Sequence, residues 1–408
     1  MTGVYEIPAF LMALEAGGMA ALEAQFSTHL SELETRGLRR RLPSVSPAGQ
    51  SPWLADFSHN DYLGLANQPS LTQAGFAVAR EYGMGATGSR LLSGNSAVHE
   101  ALEADIAKAK GCDCALIFNS GYQANATALA ALLDKKVLGA EPLVFADRLN
   151  HASLHHACQL MGVHQQRYRH NDLAHLRDLL LKHQHLPQPK FIIAETVFGM
   201  DGDQLDVPAL MQLADEFDAF VYLDEAHATG VFGAQGYGLA AGQMRNAQGQ
   251  HRGMVMGTFS KALGASGAYV ACSQTARDYL LNRCGGFIYS TALSPAVIGA
   301  VQAAWQSLPG LQAVRSQLLA NAQALRKQLQ AQGFDAGTST SHIVPIILGD
   351  EARVQALKVH LQEQGILTSA IRPPTVPSNT ARLRIALSSL HRPEQIQALL
   401  DGLASWQR

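Results

Sequence analysis

Four short segments of this chain end an apolar run on side chains able to do chemistry. In Val221-Tyr222-Leu223-Asp224-Glu225-Ala226-His227 the run closes on two acids, a small residue and a histidine. Ligands of α/β proteins bind at the carboxyl edge of a parallel sheet, where such a strand end would point. In Gly257-Thr258-Phe259-Ser260-Lys261-Ala262-Leu263-Gly264 two hydroxyl residues precede a single lysine and a stretch of small residues. Hydroxyls suit a phosphate, and small residues let a flat ring approach the backbone. A lysine among apolar neighbours has its ammonium form disfavoured by desolvation, so the neutral amine becomes nucleophilic enough to form a Schiff base. Asn119-Ser120-Gly121-Tyr122-Gln123-Ala124-Asn125 places Gly121 and Tyr122 at a helix start, where free N–H groups and the dipole attract a phosphate. In Asp147-Arg148-Leu149-Asn150-His151-Ala152-Ser153, His151 either lies flat on a planar group or caps the helix that follows.

Each segment alone has a plainer reading: an acidic loop, a Gly-rich surface loop, an ordinary Ser/Asn cap. A phosphate loop of order G-x-x-x-x-G-K-[ST] is absent. No metal is expected, because Asp224, Glu225 and His227 lack a second ligand cluster and the pair His151 with His155 lacks a third ligand. Taken together, the four supply what pyridoxal 5′-phosphate (PLP) needs. Lys261 offers the amine for its aldehyde, and Asp224 offers the carboxylate that keeps its pyridine nitrogen protonated. The two side chains are therefore expected to face opposite edges of one ring.

The elements that must position them follow from periodicity. Helical spacing runs from about Ala9 to Leu38, and a turn-rich stretch from Pro43 to Pro52 separates this arm from the body. Strands are predicted at Ala115–Phe118, Leu143–Ala146, Phe191–Ala194, Phe220–Leu223, Met254–Thr258 and Gly267–Ala271, with helices beginning near Gly121, Ala152, Asp172 and Val207. Continuous apolar runs separated by helices predict a mostly parallel sheet covered on both faces. The last two strands are joined too tightly for a crossover, so one of them should run antiparallel. After a helical stretch from Ser294 to Gln332, a βαββα order predicts a small C-terminal α/β domain: Ile343–Leu348, Glu351–Gln364, Leu367–Ala370, Arg382–Ala386 and Pro393–Leu403. The expected divisions are 1–52, 53–293 and 294–408.

The bulk numbers agree with a well-packed globular protein. Of 408 residues, 47% are hydrophobic and 16% charged, and the net charge of −2 gives no reason to expect nucleic acid or a membrane as partner. No apolar run reaches membrane-spanning length, and the N-terminal residues lack the basic start of a signal peptide. The five cysteines are read as reduced, and the expected location is cytoplasmic.

The order SGYQAN, DRLNHAS, ETVFGMDGD, LDEAHATG, TFSKALGASG and IRPPTVP, with SHNDYLGL and GSRLLSGN ahead of them, resembles the α-oxoamine synthase family of fold-type I PLP enzymes across nearly the whole chain. The resemblance implies a seven-stranded, mostly parallel sheet with helices on both faces plus the small C-terminal domain. It also implies condensation of an amino acid with an acyl thioester and loss of CO2. Arg372–Pro377 with Ala381–Arg384 is most similar to the member that joins L-alanine to a pimeloyl thioester, on CoA or a carrier protein, in biotin biosynthesis. A sister synthase using glycine or serine, or a non-catalytic partner subunit, is the alternative.

At matching positions the resemblance assigns Lys261 to the Schiff base and the Cα proton, Asp224 to the ring nitrogen, His227 to the phenolic oxygen and His151 to ring stacking. Gly121, Tyr122 and Thr258 fall at the phosphate end, and Asn60 and Arg372 at the amino acid. Arg39 and Thr375 fall at the acyl group or its carrier. Ser290 and Thr291 would reach the phosphate of a neighbouring subunit, which implies a homodimer with shared sites. Many relatives carry Ser where this chain has Gly199, so the phenolic contact falls to His227 or water. Arg40 and Arg41 are read as a solvated helix end favoured by the dipole.

Overall fold

The computed structural model describes residues 18–406 apart from positions 36, 41, 43, 45, 48 and 49. The chain divides into two compact units, Met1–Pro52 and Trp53–Arg408. In the first, the described helix is Gly18–Thr35. The periodicity over positions 9–17 lies outside the described residues. The helix ends where Gly37, at φ 65°, turns the chain so that the Leu38 N–H reaches the Leu33 carbonyl at 2.7 Å.

In the second unit the strands are β1 (Ala55–Asp56), β2 (Cys114–Phe118), β3 (Leu143–Asp147), β4 (Gln165–Tyr168), β5 (Lys190–Glu195) and β6 (Ala219–Asp224). They continue as β7 (Gly253–Thr258), β8 (Ala268–Cys272), β9 (Ile343–Gly349), β10 (Ile366–Leu367), β11 (Ser369–Ile371) and β12 (Ala381–Ala386). Seven of them form one sheet in the order β2-β8-β7-β6-β5-β3-β4. All neighbours are parallel except β8, which runs antiparallel to both β2 and β7. The predicted strands and the one reversed strand are all present. β4 is an addition: its Gln165-Gln166-Arg167 sequence carries no apolar run, because it is an edge strand on which only Tyr168 is buried.

The central strands are buried on both faces, as continuous Val/Ile/Leu/Phe runs require. Register brings their carboxyl ends level: Glu195 lies beside Asp224, and Asp224 beside Met256. The helical stretch expected from Ser294 to Gln332 is two helices, Pro295–Ser307 and Gln312–Ala331, joined by a 3-10 turn at Leu308-Pro309-Gly310-Leu311. Pro309 cannot donate to a helix ladder, so the break falls beside it.

Beyond it, β9, β11 and β12 make an antiparallel sheet in the order β11-β12-β9, flanked in sequence by the helices Glu351–Glu363 and Pro393–Ser405. The predicted strand Leu367–Ala370 divides at Thr368: β10 pairs with β1, whereas β11 pairs with β12. Residues 54–62 are thereby stitched to the C-terminal part of the chain. Phe57 donates to Leu367 O and accepts from Ala386 N, Ser388 Oγ reaches Asp61 O, and Ser389 N reaches Tyr62 O.

Candidate active site

Lys261 sits three residues beyond β7, in the short connection to β8, and Asp224 is the last residue of β6. Both line one cavity of about 150 Å³, with Gly121, Tyr122, Asn125, His151, Glu195, His227, Thr258 and Ser260. Asp224 and Glu225 diverge at the strand end. Asp224 faces the cavity, while Glu225 forms a fully buried ion pair with Lys110 and accepts from Ala240 N at 2.8 Å.

Asp224 is held as a carboxylate acceptor. Ala226 N donates to its Oδ1 at 2.8 Å, and Asn125 Nδ2 donates to its Oδ2 at 2.7 Å. Asn125 is itself fixed by the Tyr222 hydroxyl (3.0 Å). Among the described residues no cation pairs with Asp224, so a buried negative charge is directed at the cavity. Lys261 answers it. Burial pushes its amine down to about 8, against the pull of Asp224 and Glu195, which leaves a substantial neutral fraction near neutral pH. Burial raises Glu195 to about 8, with repulsion from Asp224 acting the same way, so this acid is largely protonated at neutrality.

His151 takes the capping role on the helix Ala152–Leu160, accepting from Ser153 N, and its ring also lines the cavity. Its backbone N–H donates to Glu195 Oε1 at 2.6 Å. Burial holds its imidazole below the usual range. Of the other histidines beside it, His155 turns to Gln165 and His156 to the Tyr122 hydroxyl.

A second layer stands behind Lys261. His227 Nε2 lies 2.8 Å from Lys261 Nζ, and His227 Nδ1 lies 2.8 Å from the Tyr62 hydroxyl. Tyr62 donates to Asn60 Oδ1 at 3.0 Å, and Arg384 Nη2 donates to both Asn60 Oδ1 (3.1 Å) and the Tyr62 oxygen (3.2 Å). Arg384 is 4% exposed, and its Nε donates to the Gly199 carbonyl at 2.6 Å. No acid pairs with it among the described residues. A buried guanidinium without a counterion is costly unless an anion arrives.

Arg384, Tyr62, Glu195 and Asn125 are the site residues that the motif reading passes over. A signal for Arg384 existed: Arg382 and Arg384 alternate with Leu383 in a strand otherwise fit for a core, and both are buried. Arg382 spends its charge on Asp201.

The remaining candidates lie outside the cavity lining. Asn60 joins through Tyr62 and Arg384. Arg372, half-buried at the end of β11, faces the Gln355 side chain; with that amide turned so its oxygen accepts, Nη1 lies 2.8 Å away. Thr375 is exposed, and its N–H donates to Arg372 O. Ser290 Oγ accepts from Gln123 and Thr291 O accepts from Asn119, both beside the Gly121–Leu132 helix start. Arg39 belongs to the N-terminal unit and pairs with Glu34 at 3.4 Å.

This donor set fits PLP. A depressed buried amine, a buried carboxylate lacking a cation, two neutral imidazoles and the N-terminus of Gly121–Leu132 beside the Thr258 and Ser260 hydroxyls surround one space.

Comparison with known proteins agrees. The aminotransferase class I and II family profile matches residues 54–403. The 8-amino-7-oxononanoate synthase of Gluconacetobacter diazotrophicus is 46% identical over 94% of this chain and 97% of its own. Among solved structures, a lysine-to-alanine variant of serine palmitoyltransferase from S. paucimobilis with a bound PLP–myriocin aldimine superposes with a TM-score of 0.84 at 27% identity, covering 95% of this chain and 98% of that one. The 8-amino-7-oxononanoate synthase of Francisella tularensis gives a TM-score of 0.72 at 26% identity, over 86% and 96% of the two chains. These neighbours are PLP-dependent acyltransferases of the α-oxoamine synthase type, and the fold is fold-type I.

Proposed function

The chain belongs to the aminotransferase class I and II family, and from that premise we propose that it condenses L-alanine with a pimeloyl thioester to give 8-amino-7-oxononanoate, CO2 and free thiol. The thioester is carried by CoA or a carrier protein. The observation that carries the reaction class is the shared cavity of Lys261 and Asp224, with the acid-free Arg384 guanidinium one hydrogen-bonded layer behind it. The choice of alanine and pimeloyl is supported by the 46% identity to a relative of that name.

In this reading one C–C bond forms between Cα and the acyl carbon, the acyl C–S bond breaks, and the bond from Cα to the carboxylate breaks. Bound PLP supplies the electron sink that makes a Cα proton removable. Asp224 would keep a proton on the ring nitrogen. Lys261 Nζ takes the Cα proton, its depressed basicity matching work near neutral pH, and a proton returns to Cα once CO2 has left. His151 would cover one face of the ring and exclude water. Gly121, Tyr122 and Thr258 would hold the phosphate end.

Two arginines are candidates for the amino acid's carboxylate. Arg384, buried and bonded to Asn60, is the better placed, and Arg372 would have to leave Gln355. Arg39 and Thr375 are assigned to the acyl chain or its carrier. Ser290 and Thr291 are assigned across the interface of a homodimer whose sites are shared. Among the described residues no helix is long and apolar enough to cross a membrane, and we place the reaction in the cytoplasm.

The test is borohydride reduction of the PLP-loaded protein with peptide mapping, followed by product analysis. Label on Lys261 and 8-amino-7-oxononanoate from alanine and pimeloyl-CoA are expected. Turnover of serine with palmitoyl-CoA in its place would move the assignment to the serine palmitoyltransferase side, the activity named for the structural neighbours. A protein that takes up no PLP would end the reading.

A further inference from the structure

Asp224 is aimed by the turn that follows it, and the pivot of that turn is Glu225. The Glu225 carbonyl accepts from Ala228 N (3.0 Å) and Thr229 N (2.9 Å), and its N–H donates to Met256 O at 2.8 Å. Within this wrap Ala226 N fixes Asp224 Oδ1. A displacement of Glu225 therefore displaces the carboxylate that enters the cavity.

The groups that hold the Glu225 side chain lie outside the cavity lining. Lys110, the last residue of the helix Ala97–Lys110, directs its ammonium to both Glu225 Oε2 and the Tyr237 carbonyl. Ala240 N holds the other carboxylate oxygen. The ammonium stands 5.4 Å from the Tyr269 ring centroid, and the Tyr269 hydroxyl bonds Thr229 Oγ1 at 2.9 Å, back on the same turn. Tyr237 belongs to a loop folded against that turn: Gly230 N reaches Gly236 O and Gly238 N reaches Phe232 O, both at 2.8 Å. At Gly238 φ is 98°, and a Cβ would lie 2.2 Å from Glu225 Oε2, so the loop backbone closes directly on the carboxylate.

The charge persists in that enclosure. Burial disfavours the ammonium, but attraction to Glu225 and Tyr269 wins and raises Lys110 above its usual range. Buried ion pairs add little net stability over apolar side chains of similar volume. The distinctive contribution of this one is direction, because it ties a strand end to a loop through two fixed oxygens.

We propose that Lys110 is a positioning residue for Asp224: by tying Glu225 to the Tyr237 carbonyl, it locks the turn that opens Asp224 into the cavity. This rests on the function proposed above only in that Asp224 serves the bound ring.

The test compares Lys110→Met, which keeps the length and removes the charge, with Lys110→Met/Glu225→Gln. The Gln amide can accept from Ala240 N and donate to the Tyr237 carbonyl, closing the same bridge without an ion pair. In the cofactor-free chain, hydrogen–deuterium exchange of the peptide 224–229 is followed by mass spectrometry. Lys110→Met should speed it about tenfold while β9 and β12 stay as in the parent, and the double variant should regain most of the protection. In the PLP-loaded protein, well below Tm, Lys110→Met should slow exchange of the alanine Cα proton roughly tenfold to a hundredfold, the cost of a misplaced group. The double variant should recover here too. A lysine that serves stability alone would lower Tm and leave both local readouts at parent values, which would overturn the proposal. So would a double variant no better than Lys110→Met. Should Lys110→Met fail to fold, a folded double variant with parent protection supports the proposal, and one that is unfolded or unprotected overturns it. The cofactor-free measurement stands even if PLP does not bind, so failure of the functional reading is distinguishable.

Discussion

At the scale of single residues the site is a problem of buried charge. Asp224 presents a carboxylate without a cation and Arg384 a guanidinium without an acid, with Lys261 between the two layers. Asp224→Asn should leave Lys261 able to bind PLP yet slow exchange of the alanine Cα proton with solvent deuterium by about a hundredfold or more; NMR of the exchange decides it, and near-normal exchange would refute the role. Arg384→Leu should raise the apparent KM for alanine roughly tenfold to a hundredfold, the range for losing a charge-assisted hydrogen bond, and Arg372→Leu should raise it less. Lys261 reacts as the free base and its buried amine sits at about 8. Trapping of PLP by borohydride should therefore fall about tenfold per pH unit below that value and level off above it. A profile flat through it would contradict the depressed amine. Lys261, Asp224 and His151 were legible in sequence because each ends an apolar run. Tyr62 was not, and Arg384 showed only as an arginine in an otherwise apolar strand, because their meaning lies in a contact between segments far apart in the chain.

Among the elements, what aligns the site is the level register of β3, β5, β6 and β7, and a single imidazole ties the ends of β3, β4 and β5 together. His170, just after β4, hydrogen-bonds Asp147 at the end of β3 through Nδ1 (3.0 Å) and Asp203 in the turn after β5 through Nε2 (3.2 Å). Burial opposes its charge, yet the bonds to the two acids win and lift it to about 10 from 6.5. The sign follows from that rise. The clamp contributes its full stability below about 6.5, and the contribution is lost as pH climbs through about 10. Stability of the parent chain should thus decline over that window by more than that of His170→Gln. The substitution itself should cost about 3 kcal/mol or more at neutral pH, as breaking a buried ionic contact does; urea melts at several pH values measure both. The sequence showed six of the seven large-sheet strands through their apolar runs. It concealed β4, whose polar residues suit an edge, and the division at Thr368, which depends on β1 and β12 as partners rather than on local pattern.

On the scale of the whole molecule, several large apolar side chains stand in the open: Tyr289 is 86% exposed and Leu92 84%, with Met84, Leu91 and Tyr122 also uncovered. They belong to segments joined by the Ser89–Thr291 bridge and the Asn119–Thr291 hydrogen bond, next to Ser290. Exposed apolar clusters of this kind mark association surfaces, and they support the proposed homodimer. Light scattering should give twice the 43.7 kDa chain mass, and Leu92→Asp with Tyr289→Asp should give the single mass and weaken PLP retention. A wild-type chain at the single mass would remove the shared site. The pairing of β1 with β10 carries a further consequence, for synthesis on the ribosome. Ala55 emerges early and Ile366 late, so Asn60 and Tyr62 lack the bonds from Arg384 until almost the entire polypeptide has been made. Nascent chains arrested before Ile366 should hold a formed central sheet and yet fail to capture the cofactor, making completion of translation itself the event that finishes the pocket.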